Sequence, residues 1–220
     1  TSLYYKKQNM SPKNLNVINK THKFLINKLK DKKTFQIYKD FEKNLQINDD
    51  FIVAVSGGPD SLALSFLSKL YAIKNSVKVK YFIVDHKLRK NSTKKTKFVK
   101  KLIKKKIDIN LSILTWIGKK PKTNIQSIAR KKRYNLLINQ AKKLKINYIL
   151  LGHQIDDLYE NFFIRILRGS GLKGLSSFGE PIKEENNLII LRPLIKCKKE
   201  DLIYISKKVF NFFIKDPSNE

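Results

Sequence analysis

The sequence predicts an α/β fold: a doubly wound, mostly parallel sheet of about five strands with helices on both faces. Three observations carry that expectation. Apolar, β-branched runs of strand length recur at Phe51–Val55, Val77–Val84, Leu111–Trp116, Tyr148–Leu151 and Leu188–Leu191. Runs without polar alternation mark strands buried on both faces, as in parallel sheets. Stretches of helical periodicity alternate with them and are long enough for right-handed crossovers. The 220 residues suffice for one α/β domain with a small appendage.

Residues 1 to about 12 are polar and expected to fray. Leu15, Ile18, Phe24, Leu25 and Leu29 follow at loosely helical spacing, and a second helix is expected over Phe35–Leu45. Basic groups between the apolar ones suggest solvated helical faces packed on the sheet edge. Residues 1–50 are thus read as an N-terminal helical extension and 51–220 as the main domain.

The strand Phe51–Val55 stops at Ser56-Gly57-Gly58-Pro59-Asp60-Ser61, after which Leu62, Leu64, Phe66, Leu67 and Leu70 recur at helical spacing. Strand, glycine turn and helix together aim backbone N–H groups and the positive end of a helix at one point, which suits phosphate. Gly57 and Gly58 let the backbone approach an anion, Pro59 suits a first helical position, and Ser56 and Ser61 add hydroxyl donors. No Walker lysine is present. Asp60 would repel phosphate unless a cation lay between, so Asp60 is expected to serve a Mg²⁺ ion.

Val77–Val84 runs into Asp85-His86-Lys87-Leu88-Arg89. Strand C-termini line the ligand crevice of a doubly wound sheet, so His86 and Arg89 are expected to face it. A basic helix over Lys94–Lys105, a third strand over Leu111–Trp116 and a polar loop around Pro121 come next. The helix Asn124–Lys145 carries Ile125, Ile128, Ala129, Leu136, Leu137, Ala141 and Leu144, with Arg130, Arg133 and Tyr134 sharing one face.

The fourth strand ends at Gly152-His153, and Asp156, Asp157 and Glu160 then open a helix. Helix capping accounts for one or two of these carboxylates. It does not account for His153 at the strand end, nor for Glu160 on the same side as the two aspartates. A carboxylate cluster opposite a phosphate loop suits Mg²⁺ and an incoming cationic nucleophile. The glycine-bearing loop 169–175, with Arg165, Arg168 and Lys173, is suited to phosphate contact. Arg192-Pro193-Leu194, a helix over Lys198–Val209 and a short strand over Phe212–Ile214 complete the reading.

The formal charge of +29, from 47 basic and 18 acidic residues, favours a polyanionic partner such as nucleic acid. Only six of the basic residues are Arg, and Lys, Asn and Ile crowd every segment, so part of this charge is compositional drift. The single cysteine, Cys197, excludes an intrachain disulfide and a cysteine-built zinc or iron–sulfur site, which fits a reducing cytoplasm. No stretch has the length of a membrane span and no signal peptide is visible.

SGGPDS (56–61) resembles the signature of the PP-loop ATP pyrophosphatases, which split ATP to AMP and pyrophosphate while adenylating a carbonyl oxygen. With VDHKLR (84–89), ARKKRY (129–134), GHQIDDLYEN (152–161), LRGSGLKGL (167–175), RPL (192–194) and DPSN (216–219), the chain resembles the tRNA(Ile)-lysidine synthetase family over nearly all of residues 51–219. It departs from the family pattern at Gly152-His153 and at Asn161, where Thr is usual.

The resemblance implies that ATP adenylates the wobble cytidine of an isoleucine tRNA with a CAU anticodon, and that free lysine then displaces AMP. It further implies that the backbone of Ser56–Ser61 cradles pyrophosphate and that Asp60 and Asp157 hold Mg²⁺. His86 or Arg89 would lie near the nucleotide. His153 would act on the α-phosphate or carry a proton, and Asp156 or Glu160 would engage the lysine amine. Arg130, Arg133, Arg165, Arg168 and Lys173 would contact tRNA phosphate. The C-terminal tRNA-binding domains of the family are expected to be absent from this chain. The competing expectations are another PP-loop tRNA-modifying or amide-forming enzyme, and a non-catalytic nucleotide- or RNA-binding module.

Overall fold

Strands β1 (Phe51–Val55), β2 (Val79–Asp85), β3 (Leu111–Thr115), β4 (Tyr148–Leu150), β5 (Ile182–Lys183) and β6 (Ile189–Leu191) form one sheet, in the order β3-β2-β1-β4-β6-β5. The structure is a computed structural model and describes residues 22–153, 182–183 and 187–214. Neighbouring strands run parallel except β5, which pairs antiparallel with β6 at the edge. The five parallel strands are those read from the apolar runs. β5 was not expected: two residues carry no periodicity to read.

Among the described residues, five helices are α1 (Lys32–Leu45), α2 (Pro59–Asn75), α3 (Ser92–Ile107), α4 (Ile125–Leu144) and α5 (Lys199–Phe210), and residues 22–28 are also helical. The sheet order dictates their sides. From β1 the chain steps outward to β2 and β3, so right-handed crossovers put α2 and α3 on one face. It then returns past β2 and β1 to β4, which puts α4 on the other. The side chains agree: Phe66, Leu67, Val99 and Ile103 pack in one core with Val53, Val55 and Ile83, whereas Leu137 and Ala141 pack in a second with Ile52, Phe82 and Ile149.

Leu25, Ile37, Tyr38, Phe41 and Leu45 belong to the first core and are buried, so the N-terminal helices share the core of the sheet. The start of α1 lies three residues ahead of the expected Phe35 because Asp31 caps it, accepting from the Thr34 amide at 2.9 Å. Asp31 also accepts from the Tyr204 hydroxyl at 3.0 Å and meets Lys208 at 2.7 Å, which ties α1 to α5. Lys208 and Thr34 hold the Asp31 carboxyl well below the usual carboxylate range.

Two expectations change. Phe212–Ile214 is not a strand: the segment leaves α5 as coil, and its Ile214 amide bonds the Gly57 carbonyl at 2.9 Å rather than a strand partner. An aromatic run has strand-like composition, but here it packs against the core from a turn. The apolar residues of α4 are also less buried than their spacing suggests. Only Leu137 and Ala141 are buried, and Ile125 is 43% exposed, so the first half of the helix stands off the sheet.

Phe66, fully buried on α2, tests the first core. Phe66→Ala is expected to lower unfolding free energy by about 3–5 kcal/mol, read from the urea midpoint, with no change in the denaturant slope.

Candidate active site

Where the outward and returning halves of the sheet meet, β1 and β4 lie side by side and parallel, with Val53 opposite Leu150. A ligand crevice opens beyond the strand ends at such a reversal of strand order. The loop 56–61 leaves β1 there, and Gly152-His153 leaves β4 beside it.

Ser61 organises the loop. Its Oγ accepts from the Ser56 amide at 3.1 Å, the Gly57 amide at 3.0 Å and the Ser56 hydroxyl at 3.0 Å, and it donates to the Gly58 carbonyl at 3.0 Å. The Ser56 and Gly57 amides therefore turn inward to a hydroxyl. The outward-facing anion site narrows to the first turn of α2, whose first intrahelical bond is Leu62 N–H to Gly58 O at 3.1 Å. Gly58 is the N-cap and Pro59 the first helical residue, as expected from the sequence. Gly57 is obligatory: its φ is +90°, and a Cβ there would lie 2.7 Å from Val99 Cγ2 and 2.9 Å from Ile214 Cδ1.

Gly152 is the contact between the two halves of the site. A Cβ at this position would sit 3.0 Å from the Ser61 nitrogen and 3.1 Å from the Asp60 carbonyl carbon. With hydrogen there the end of β4 rests on the start of α2, which brings His153 next to the loop, and a methyl would require the α2 backbone to give by a few tenths of an ångström.

Arg192, just after β6, donates from Nε to His153 Nδ1 at 3.2 Å. Its imidazole must accept at Nδ1, so the ring's proton sits on Nε2. Burial pushes the His153 pKa down to about 3, with Arg192, Arg133 and Arg130 adding to the effect. His153 is thus a neutral donor.

A cavity of about 430 Å³ opens on the other side of the loop, lined by Ser56, Gly58, His86, Arg89, Lys95 and Ile214 among others. Its size falls within the range of small-molecule sites. His86 is held neutral by burial and by Arg133, partly countered by Asp85, and stands edge-on to Trp116 at 6.2 Å. Its Nδ1 is buried without a hydrogen bond. An orphaned acceptor or donor in a pocket rimmed by cations and loop amides fits a bound nucleotide.

Asp85, 1% exposed, was not singled out from the sequence. It accepts from the Ser92 hydroxyl, the Thr93 hydroxyl at 2.6 Å and the Lys87 amide at 3.0 Å. Burial raises its pKa, but these bonds outweigh it and the net shift is downward. Asp85 therefore shapes the turn that presents His86 and Arg89 and anchors the start of α3. The two hydroxyls seven and eight residues downstream are the only sequence signal for this role.

Arg130 is exposed on α4, 5.8 Å from the Tyr134 ring, while Arg133 turns inward far enough for its charge to act on both histidines. Burial lowers the Arg133 pKa. Asp60 lies in the first turn of α2. Asp156, Asp157, Glu160, Arg165, Arg168 and Lys173 lie outside the described residues. Among the described residues no three of His, Cys, Asp and Glu come together as a metal site.

Gly152→Ala is expected to cost about 1–3 kcal/mol, measured by urea unfolding, because backbone rather than a side-chain tip must yield. A second prediction concerns acid. His153 takes a proton near pH 6.5 when unfolded and only at about 3 when folded. Between those values the unfolded chain holds more protons, so stability rises with pH across this window and falls on acidification. The urea midpoint should drop from about pH 7 to about pH 4, and His153→Gln should flatten the drop. Equal slopes in the two proteins would rule out a neutral, buried imidazole.

The chain matches the PP-loop domain family, an ATP-binding family, over residues 28–220. It is 42% identical over 172 residues to a tRNA(Ile)-lysidine synthase of Orientia tsutsugamushi, covering 78% of this chain and 38% of that protein. A tRNA(Ile)-lysidine synthase of Rhodopseudomonas palustris is 38% identical over 170 residues, with 76% and 49% covered. One of Rickettsia felis is 35% identical over 190 residues, with 83% and 43% covered. The chain spans half the length of these curated relatives or less. Its fold is similar to that of the U34-tRNA thiolase NcsA of Methanococcus maripaludis, solved with its 4Fe–4S cluster, at a TM-score of 0.71 and 19% identity, over 83% of this chain and 65% of that one. A glycine loop at the β1–β4 reversal and a family match across most of the sequence lead to one assignment: the chain belongs to the PP-loop domain family.

Proposed function

We propose that this protein is a tRNA(Ile)-lysidine synthase, using ATP and lysine to modify the wobble cytidine of an isoleucine tRNA with a CAU anticodon. The observation that carries the reading is the contact at Gly152, which joins a phosphate-binding helix start to the segment that continues into Asp156, Asp157 and Glu160. The names of the curated relatives support the same choice.

The chemistry has two steps. The cytidine 2-oxygen attacks the α-phosphorus of ATP and pyrophosphate leaves. The lysine side-chain amine then attacks C2, AMP leaves, and the amine gives up a proton. The first-turn amides of α2 take the charge of the departing pyrophosphate. Asp60, with Asp157, would hold Mg²⁺, which neutralises phosphate charge. His86 and Arg89 sit on the nucleotide cavity, which accommodates the nucleoside part. His153 is neutral with Nε2–H as donor, so hydrogen bonding to the α-phosphate suits it better than taking a proton. Asp156 or Glu160 receives the lysine ammonium. Arg130, Arg165, Arg168 and Lys173 supply cations toward the tRNA, whereas Arg133, expected there as well, is turned inward and acts on His86 and His153, and the target base leaves its stack to be reached.

Sulfur transfer fits less well. Cys197 is the single cysteine, is buried, and burial pushes its thiol up to about 11, so it is a poor thiolate. No helix among the described residues is long and apolar enough to cross a membrane. We assign the protein to the cytoplasm, where its tRNA is found.

Incubation with ATP, radiolabelled lysine and mixed tRNA tests the proposal. Label in tRNA supports it. AMP release without label points to another PP-loop enzyme, and no AMP at all points to a binding module. Asp60→Ala is expected to slow ATP–pyrophosphate exchange by on the order of 10²-fold while tRNA affinity is kept. Exchange equal to the parent's would remove Asp60 from the metal's company.

A further inference from the structure

Ser206 is fully buried in α5, and its hydroxyl donates to the Pro59 carbonyl at 2.6 Å, across 147 residues of chain. After α5, Asn211 adopts a left-handed conformation with φ of 54°, and the chain turns back toward the loop. Three residues later the Ile214 amide donates to the Gly57 carbonyl at 2.9 Å. Between these two, the Gly58 carbonyl accepts from Leu62 N–H at 3.1 Å and from the Ser61 hydroxyl at 3.0 Å. Three successive carbonyls of the phosphate loop are therefore engaged, Gly58 within the loop and α2 themselves and the two flanking it by α5 and the turn that follows.

Peptide planarity gives these bonds a consequence. In a trans peptide the N–H points opposite to the C=O, and every described peptide bond is trans. The Gly57 carbonyl shares its plane with the Gly58 N–H, and the Pro59 carbonyl with the Asp60 N–H. Pinning the two carbonyls inward turns those two amides the other way: the Gly58 N–H donates to the Ser56 hydroxyl, on the cavity lining, at a long 3.4 Å, and the Asp60 N–H is aimed out from the start of α2. The Ile214 side chain adds a steric stop, since its Cδ1 would lie 2.9 Å from a Cβ at Gly57.

We propose that Ser206 and Ile214 are positioning residues for nucleotide phosphates, and that α5 with its following turn is a brace setting the direction of the Gly58 and Asp60 amides. This rests on the nucleotide-binding reading above. Neither residue touches the reacting atoms; each acts by fixing a peptide plane.

The test uses the full-length protein and two readouts. The first is amide hydrogen exchange over residues 56–62 without nucleotide. The second is KM and kcat for ATP in pyrophosphate exchange. Ser206→Ala removes one hydrogen bond, so exchange in the loop should speed up about fivefold and KM for ATP should rise about fivefold to tenfold, with kcat little changed. Ile214→Ala, which takes away the steric stop but keeps the amide, should move both readouts in the same direction by less. Ser68→Ala is the control, because the Ser68 hydroxyl is equally buried on α2 and has no hydrogen-bond partner. Ser206→Ala with parental loop exchange overturns the brace, whatever ATP does. Lower stability with unchanged loop exchange and KM also overturns it, since ordinary packing would then suffice. A parent protein that turns over no ATP defeats the nucleotide reading, while the exchange readout still decides the brace.

Discussion

The contact at Gly152 is the constraint on which the rest of the site depends. Parallel pairing of β1 with β4 brings two strand ends together, but pairing alone leaves room for side chains between them. Here the room is gone: the backbone of one strand end rests on the first turn of α2. The first turn of α2 and the Gly152-His153 strand end become close neighbours. The sheet order makes this possible, since only at the reversal of strand order do two loops diverge to opposite faces and leave a crevice between them.

Electrostatics around the crevice lean one way. Arg133 and Lys120 act on His86, and Arg192, Arg133 and Arg130 act on His153, so both imidazoles stay neutral in a cationic neighbourhood. The one buried carboxylate there among the described residues, Asp85, has its oxygens committed to Ser92, Thr93 and the Lys87 amide. A partly desolvated pocket lined by several cations raises the local concentration of polyanions. It also spares the histidines from adding charge that would have to be desolvated.

The parallel strands were legible because strands buried on both faces must be apolar throughout, and Phe51–Val55 is such a run. The phosphate loop was legible because its demands are local: glycine at φ +90° in Gly57, proline at the helix start, a serine three residues into the turn. What could not be read depends on partners far along the chain. Ser206 is one serine among many until its hydroxyl meets Pro59. The neutrality of His153 depends first on burial and then on three arginines brought together by α4 and the turn after β6. Phe212–Ile214 misled because strand propensity describes composition, whereas this segment is fixed by a single backbone bond and by side-chain packing.

The tie between Pro59 and Ser206 spans 147 residues, and this bears on how the protein is made. A ribosome delivers the loop early and its support late, at roughly 5–20 residues per second. The nascent chain therefore carries the glycine turn for seconds before the helix that orients it emerges, and during that interval β1 and α2 can pack while the loop peptides remain free to rotate. Competence to hold a triphosphate thus waits on a helix made well after the loop itself.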